Sequence, residues 1–280
     1  LGLDLRLSQF GGNNLKVAQA YEELAYALYV EEYNTGMFQR ARWCSEKSIS
    51  ILESLLPDNH VLLASSRRVK ALILEEIAID SGDKRKEAML FQEAEDLHIQ
   101  VLAVCQRAFG QENVQIAKHY GNLGRLYQSM RKFAEAERMH KKAIEIKQKV
   151  LGPEDYEVAL SMGHLASLYC CDMQRYAESE VLYLKSIQIG KRLFGDAYSG
   201  LEYDYRGLVN CYVNLKDAEK SAYYTNELNL WRLLRDDMSA KDNPLHVLQN
   251  LEEPSDTMEV VHKFFGLIKD QNLLQTESTN

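Results

Sequence analysis

Proline is scarce: four occur in 280 residues, and Pro57, Pro153, Pro244 and Pro254 all fall in connections rather than inside apolar-periodic runs. Proline removes a backbone donor and breaks helices, so this distribution predicts a nearly all-helical chain. Cysteines are few and odd in number, and Cys44, Cys105, Cys170, Cys171 and Cys211 show no C-x-x-C spacing. That argues against a disulfide framework and predicts reduced, mostly buried thiols in a cytosolic or nuclear protein. No apolar run approaches the roughly 20 residues needed to cross a bilayer, so a membrane is expected to be met only through partners. A surplus of positive charge is missing too. The net charge of −8 argues against wholesale nucleic-acid binding, which needs an excess of Lys and Arg. The first residues, LGLDLRLSQF, include neither a methionine nor a signal-peptide pattern, and the chain is expected to be an internal piece of a longer protein.

The charge is unevenly placed. Residues 113–150 hold nine Lys/Arg against three Asp/Glu, whereas residues 200–260 hold twelve acids against six bases. Either run reads first as a solvated surface.

What the chain does have is a recurring stretch. FAEAERMHKKAI at 133–144 is echoed by FQRARWCSEKSI at 38–49, FQEAEDLHIQVL at 91–102 and YAESEVLYLKSI at 176–187, with starts 53, 42 and 43 residues apart. A catalytic centre has no need to recur at such an interval, but a stacked scaffold does. In the third copy Tyr120, Leu123, Gly124 and Tyr127 share one helical face, a polar turn follows at 129–132, and Phe133, Ala136, His140 and Ala143 mark one face of a second helix. That helix is expected to stop at Gly152, with Pro153 just beyond. The fourth copy ends at Gly195, the second at Gly110 and the first at Pro57, and a fifth carries Tyr205, Leu208, Val209 and Tyr212. The second copy is read as carrying an insertion of roughly ten residues, SGDKRKEAML (81–90), in its turn. Ala41, Ala94, Ala136 and Ser179 hold one position, and Ser48, Ala143 and Ser186 another, where two helices approach closely enough to require little bulk.

These residues predict an all-α solenoid of about five helix-turn-helix repeats at 15–57, 58–110, 111–152, 153–195 and 196–235. Residues 1–14 are a lead-in and 236–256 a connection. A helix at 257–269, carrying Met258, Val261, Phe264, Phe265 and Ile268, caps the stack, docks a partner or mediates self-association; 270–280 form a disordered tail. LGPEDYEVALSMGHLASLY (151–169) and FAEAERMHKKAIEIKQKVLG (133–152) resemble the tetratricopeptide repeat, lengthened to about 42 residues as in kinesin light chains. The resemblance implies a right-handed superhelix and a protein-binding adaptor located in the cytoplasm, at microtubules and in the nucleus. One branch of the family implies a substrate receptor of cullin-2 ubiquitin ligases that recognises C-terminal degrons, with cullin-2 and elongin held through a region not in this chain. It also implies the amyloid precursor protein tail as a partner. The alternative is a transport scaffold linking the cytoplasmic tails of membrane proteins to microtubule motors.

Chemistry is hard to find. His98 and His140 hold the same repeat position and are read as packed, and His119 and His164 have no second ligand at i+4, so no metal is expected. The Gly121-x-x-Gly124 pair lacks a phosphate loop, no G-x-S-x-G occurs, Cys170-Cys171 lacks cationic neighbours, and the carboxylate clusters are placed on outward faces or in turns. Neither a cofactor nor an enzymatic activity is expected.

A partner is expected on the concave face lined by the first helices. The residues one step from the packing positions are Lys118, Asn122, Arg125 and Gln128; His164 and Ser167; and Tyr203, Arg206, Asn210 and Asn214. Ser65, Arg68 and Glu75 join from the second repeat. Asparagine amides satisfy a ligand backbone from both sides, and Lys118, Arg125 and Arg206 suit a carboxylate. Gly121, Gly163 and Gly207 are read as leaving room for the peptide.

Overall fold

The computed structural model describes residues 2–32 and 35–241, and the capping helix and tail expected at 257–280 lie outside them. The described residues divide into two units after Asn229, and those of the second, 230–241, continue the last helix.

All described secondary structure is helical. A short α1 (Gly2–Phe10) stands in the expected lead-in, followed by the pairs α2 (Leu15–Glu32) and α3 (Gln39–Leu55), α4 (Val61–Ile79) and α5 (Lys84–Phe109), and α6 (Val114–Ser129) and α7 (Phe133–Leu151). The fourth pair is α8 (Tyr156–Ser167), prolonged by a π-helical turn at Leu168–Asp172, with α9 (Tyr176–Phe194); the fifth is α10 (Leu201–Asn214) with α11 (Ala218–Lys241). From α1 to α10 each helix packs on its neighbours in sequence, the arrangement of an all-α solenoid.

The small residues sit where close helix approach needs them. Ala41, Ala94, Ala136 and Ser179 are wholly buried, and Ser48, Ala143 and Ser186 nearly so. Ser48 and Ser179 also donate their hydroxyls to the carbonyls of Ala18 and Ala166 across the pair, at 2.8 and 2.7 Å. Ala136→Leu is therefore expected to overpack the α6–α7 crossing and cost about 1–3 kcal/mol, read as a lower urea midpoint at unchanged slope.

Four of the five pair turns are built alike. Gly36, Arg131, Gln174 and Lys216, each two residues before the first position of the recurring stretch or its fifth counterpart, all adopt φ between 56° and 68°. At the far ends Gly110, Gly152 and Gly195 take positive φ and their N–H groups close on the last turn of α5, α7 and α9, as the sequence predicts.

A second recurring feature holds pair to pair. Tyr127 donates to Glu95 at 2.9 Å, Tyr169 to Glu137 at 2.7 Å and Tyr212 to Glu180, in each case from a first helix to the second helix of the preceding pair. A cation closes each set: Lys132 on Glu95 at 3.1 Å, Arg175 on Glu137 at 2.9 Å and Lys220 on Glu180 at 3.5 Å. The same cation lies over the tyrosine ring. Together Lys141, Tyr169 and Arg175 outweigh desolvation and hold the Glu137 carboxyl down to about 2.

Three expectations are corrected. Residues 84–90 do not lengthen a loop: Asp83 caps the N-terminus by accepting from the Arg85 and Lys86 amides, and the good helix formers that follow extend α5 to 26 residues. The expected connection after Arg235 begins as helix, because no glycine or proline interrupts α11 before Lys241. Carboxylates are not confined to outward faces and turns, since Glu32, Glu75, Glu76 and Asp204 are buried.

Candidate functional site

The first helices of four successive pairs, with the ends of α5 and α7, enclose a cleft of about 870 Å3. Ser65 and Arg68 of α4, Lys118, Asn122 and Arg125 of α6, and His164 of α8 all line it, so six of the predicted residues converge. Tyr26, Leu72, Phe109 and Leu160 add an apolar wall. A separate groove of about 600 Å3 between α10 and α11 contains none of the predicted residues.

Electrostatics differentiate the cations. Lys147, itself 4% exposed, donates to Glu157 Oε2 at 2.8 Å and to Ser161 Oγ at 2.9 Å, while Lys118 takes Glu157 Oε1 at 2.8 Å. Burial raises the Glu157 pKa, but the two lysines outweigh it and hold the carboxyl below its ordinary value. Arg125 is engaged as well. Its Nη2 meets Glu75 Oε2 at 2.8 Å and its Nη1 lies 3.4 Å from Glu76 Oε1, with Ser129 donating to Glu75 Oε1 at 2.9 Å. Burial pushes the Glu75 carboxyl up and Arg125 offsets part of that. Burial opposes the charge on Arg125 too, but Glu75 and Tyr29 more than compensate and its pKa is raised.

Arg68 and Asn122 remain uncommitted. Arg68 makes no ion pair among the described residues; its guanidinium lies 5.9 Å from the Tyr26 ring centre. The Asn122 amide makes no hydrogen bond among the described residues. An unpaired arginine in one cleft with a free amide and an apolar wall is chemistry that suits a peptide bearing a carboxylate.

The other predicted residues lie outside the cleft lining. Gln128 donates to Asp172 at 2.6 Å and so ties α6 to the π turn. Ser167 lies 4.0 Å from the Cys171 sulfur, and Tyr203 packs between His164 and Tyr183. Arg206, Asn210 and Asn214 are exposed on α10, where Asn210 donates to Cys171 Sγ at 3.6 Å and Asn214 donates to Asn210. Glu75 is buried under Arg125 rather than presented to a ligand, because the true register of α4 turns it inward.

Of the glycines, Gly121 opens on free space and lines the cleft, as expected. Gly207 does not leave room for a peptide: a Cβ there would collide with the buried Tyr183 ring, so its smallness serves packing between α9 and α10. Gly163 likewise faces the Asp204 carboxylate and the Tyr203 ring.

His119, Tyr26 and Phe109 also line the cleft, although the sequence reading did not place them there. Tyr26 and Tyr29 repeat the three-residue helical spacing, a usable signal; Phe109 comes from the end of a second helix, and nothing local marks it. His98 and His140, expected to be packed, are buried at 1% and 2% exposure, and burial holds both imidazoles down to about 3. Among the described residues no group of three His, Cys, Asp or Glu is arranged to hold a metal, and no helix is long and apolar enough to cross a membrane.

The tetratricopeptide-repeat family pattern matches residues 87–149 and, separately, 158–197. The chain is 56% identical over 262 residues to amyloid protein-binding protein 2 of Mus musculus, and equally to that of Rattus norvegicus, a match covering 94% of this chain. It spans 44% of the length of those relatives. A Podosopora anserina kinesin light chain crystal structure with nearly identical TPR-like repeats superposes with a TM-score of 0.60 at 17% identity, covering 82% of this chain and 99% of that one. The BtubC (BKLC) structure from P. vanneervenii gives 0.59 at 17% identity, covering 79% and 91%; at these identities the likeness is one of fold.

Proposed function

This chain is built of tetratricopeptide repeats, and on that premise we propose that it is an adaptor capturing short linear peptide segments in the cleft along α2, α4, α6 and α8. The observation that carries the reading is the pairing of an uncommitted arginine and a free asparagine amide with an exposed apolar wall in one cleft. Repeat solenoids present extended inner surfaces, and polar groups without internal partners are what such a surface offers a ligand backbone.

The finer assignment is a substrate receptor for a cullin-2 ubiquitin ligase, taking segments near the C-terminus of its targets. It rests on family resemblance, and the ligase would be held by sequence outside this chain. The relatives are named for binding an amyloid protein, which supports a protein ligand, and a protein ligand serves equally the alternative of a scaffold that carries the tails of membrane proteins along microtubules. Co-precipitation from cytosol separates the two, since recovery of cullin-2 with the longer protein supports the first and recovery of motor subunits alone the second.

Fluorescence titration with tail peptides tests the common part. Asn122→Ala is expected to weaken peptide binding by more than about 1 kcal/mol, roughly fivefold, with unchanged helicity by circular dichroism. Equal affinity for free-acid and amidated peptides would remove the terminal carboxylate from the reading, and unchanged affinity in the variant would move the site elsewhere.

A further inference from the structure

Among the cleft residues His119 is unusual. It is 7% exposed, lies on the cleft wall, and its Nδ1 is buried without a hydrogen-bond partner. A buried polar atom without a partner is costly unless something else supplies one. Arg68, on the neighbouring α4, is the one cation of the lining that lacks a carboxylate among the described residues. Lys118 and Lys147 are taken by Glu157, and Arg125 by Glu75 and Glu76.

We propose that His119 and Arg68 together anchor a ligand carboxylate, and that capture is accompanied by uptake of a proton from solvent onto the His119 imidazole. The proposal rests on the reading of the cleft as a peptide site and names the group that the site selects. The surroundings favour it on charge grounds. The groups bearing on His119 from the packed elements are Arg68 of α4 and His98 of α5, and the cleft lining adds Tyr29 of α2, Lys147 of α7, and Glu157 and His164 of α8. The one carboxylate of that lining, Glu157, is already held by two lysines. Burial, with repulsion from Arg68, holds the imidazole down to about 4, so it is neutral near pH 7. An incoming carboxylate cancels the repulsion and supplies an acceptor, both of which favour the protonated ring. Binding therefore draws in a proton, and affinity rises as the pH falls.

The test uses isothermal titration calorimetry at pH 6 and pH 7.5, in two buffers of different ionisation heat that titrate across that range, PIPES and imidazole, with three defined probes. One is an acetylated, amidated peptide of three Leu-Glu repeats, the second its Leu-Gln counterpart, and the third the Leu-Gln peptide with a free C-terminus. The glutamate peptide is expected to bind at least about tenfold tighter than the amidated glutamine peptide at pH 6, with net proton uptake, and to weaken about fivefold at pH 7.5. Preference for the free-acid peptide instead would assign the same anchor to a chain terminus and also support the proposal. R68Q is expected to reduce the favoured peptide to the affinity of the amidated glutamine peptide. H119Q is expected to abolish proton uptake. In the unaltered chain the His119 ring protons should titrate at higher pH when the favoured peptide is bound, a reading independent of whether the variants fold. Equal, pH-independent binding of all three peptides would overturn the anchor and leave the peptide site standing. Failure of all three to bind would overturn both. Unchanged proton uptake in H119Q would overturn the role given to the imidazole.

Discussion

Arg125→Ala is expected to destabilise the protein by about 3–5 kcal/mol in urea unfolding, the largest loss foreseen for a single side-chain truncation here. Read from sequence, Arg125 is a ligand contact whose removal weakens binding and leaves the fold alone. The structure assigns it a prior duty. Its guanidinium links Glu75, which is 1% exposed, to Glu76 and the Tyr29 hydroxyl, joining the first three helix pairs through one planar group. Removing it strands two buried carboxylates, which must either stay charged without a partner or take up protons. The companion triple variant Arg125→Met, Glu75→Gln and Glu76→Gln removes the charges together, and is expected to recover most of the loss. A fall of less than about 1 kcal/mol for Arg125→Ala alone would show that water screens the network and that it contributes little.

The second large effect concerns Asp204. It is 5% exposed and receives one hydrogen bond, from Ser186 Oγ at 2.7 Å; burial pushes its carboxyl up to about 7, with Ser186 only partly opposing. A carboxyl whose pKa is higher folded than unfolded favours folding while protonated. That contribution is complete below the unfolded value near 3.8 and is lost as the pH climbs through 7. The interval corresponds to about 4 kcal/mol. Asp204→Asn keeps an acceptor for Ser186 and cannot ionise. The stability difference, variant minus parent, is therefore expected to grow by about 4 kcal/mol between pH 4 and pH 8. His98 and His140 act in the opposite sense, withdrawing stability as the pH falls, but they are common to both chains and cancel in the difference. Parallel pH profiles would place Asp204 in contact with solvent.

Much of the architecture was legible because the repeat imposes it. Ala41, Ala94, Ala136 and Ser179 announce close helix crossings by their size, and the glycines at 110, 152 and 195 announce helix ends by their conformational freedom. Charge was harder to read. Glu75 and Asp204 look from sequence like any helix-surface acid, and only the partner elements bring Arg125 to one and bury the other with Ser186 for company. The site was legible by half for the same reason. Lys118, Asn122 and Arg125 follow from the face of α6, but the choice of α4 residues depended on a register that no aromatic marks, and Phe109 reaches the cleft from a helix assigned to the outer layer. One detail was visible and unread: the step from Phe133 to Tyr176 is 43 residues, one more than from Phe91 to Phe133. The π turn at Leu168–Asp172 fits the extra residue lying between Tyr169 and Tyr176.

The clasp of tyrosine, glutamate and basic residue joins the second pair to the third, the third to the fourth and the fourth to the fifth. None can form at the first junction, because α4 contains no tyrosine. Under tension along its length the array is thus held by three matched latches and one seam of another kind. The seam is bridged instead by Tyr29 on Glu76, Ser48 on Ser66 and Lys70 on Glu46, and the Arg125 that grips Glu76 also lines the cleft. Opening the first pair and loosening the cleft are in consequence a single mechanical event.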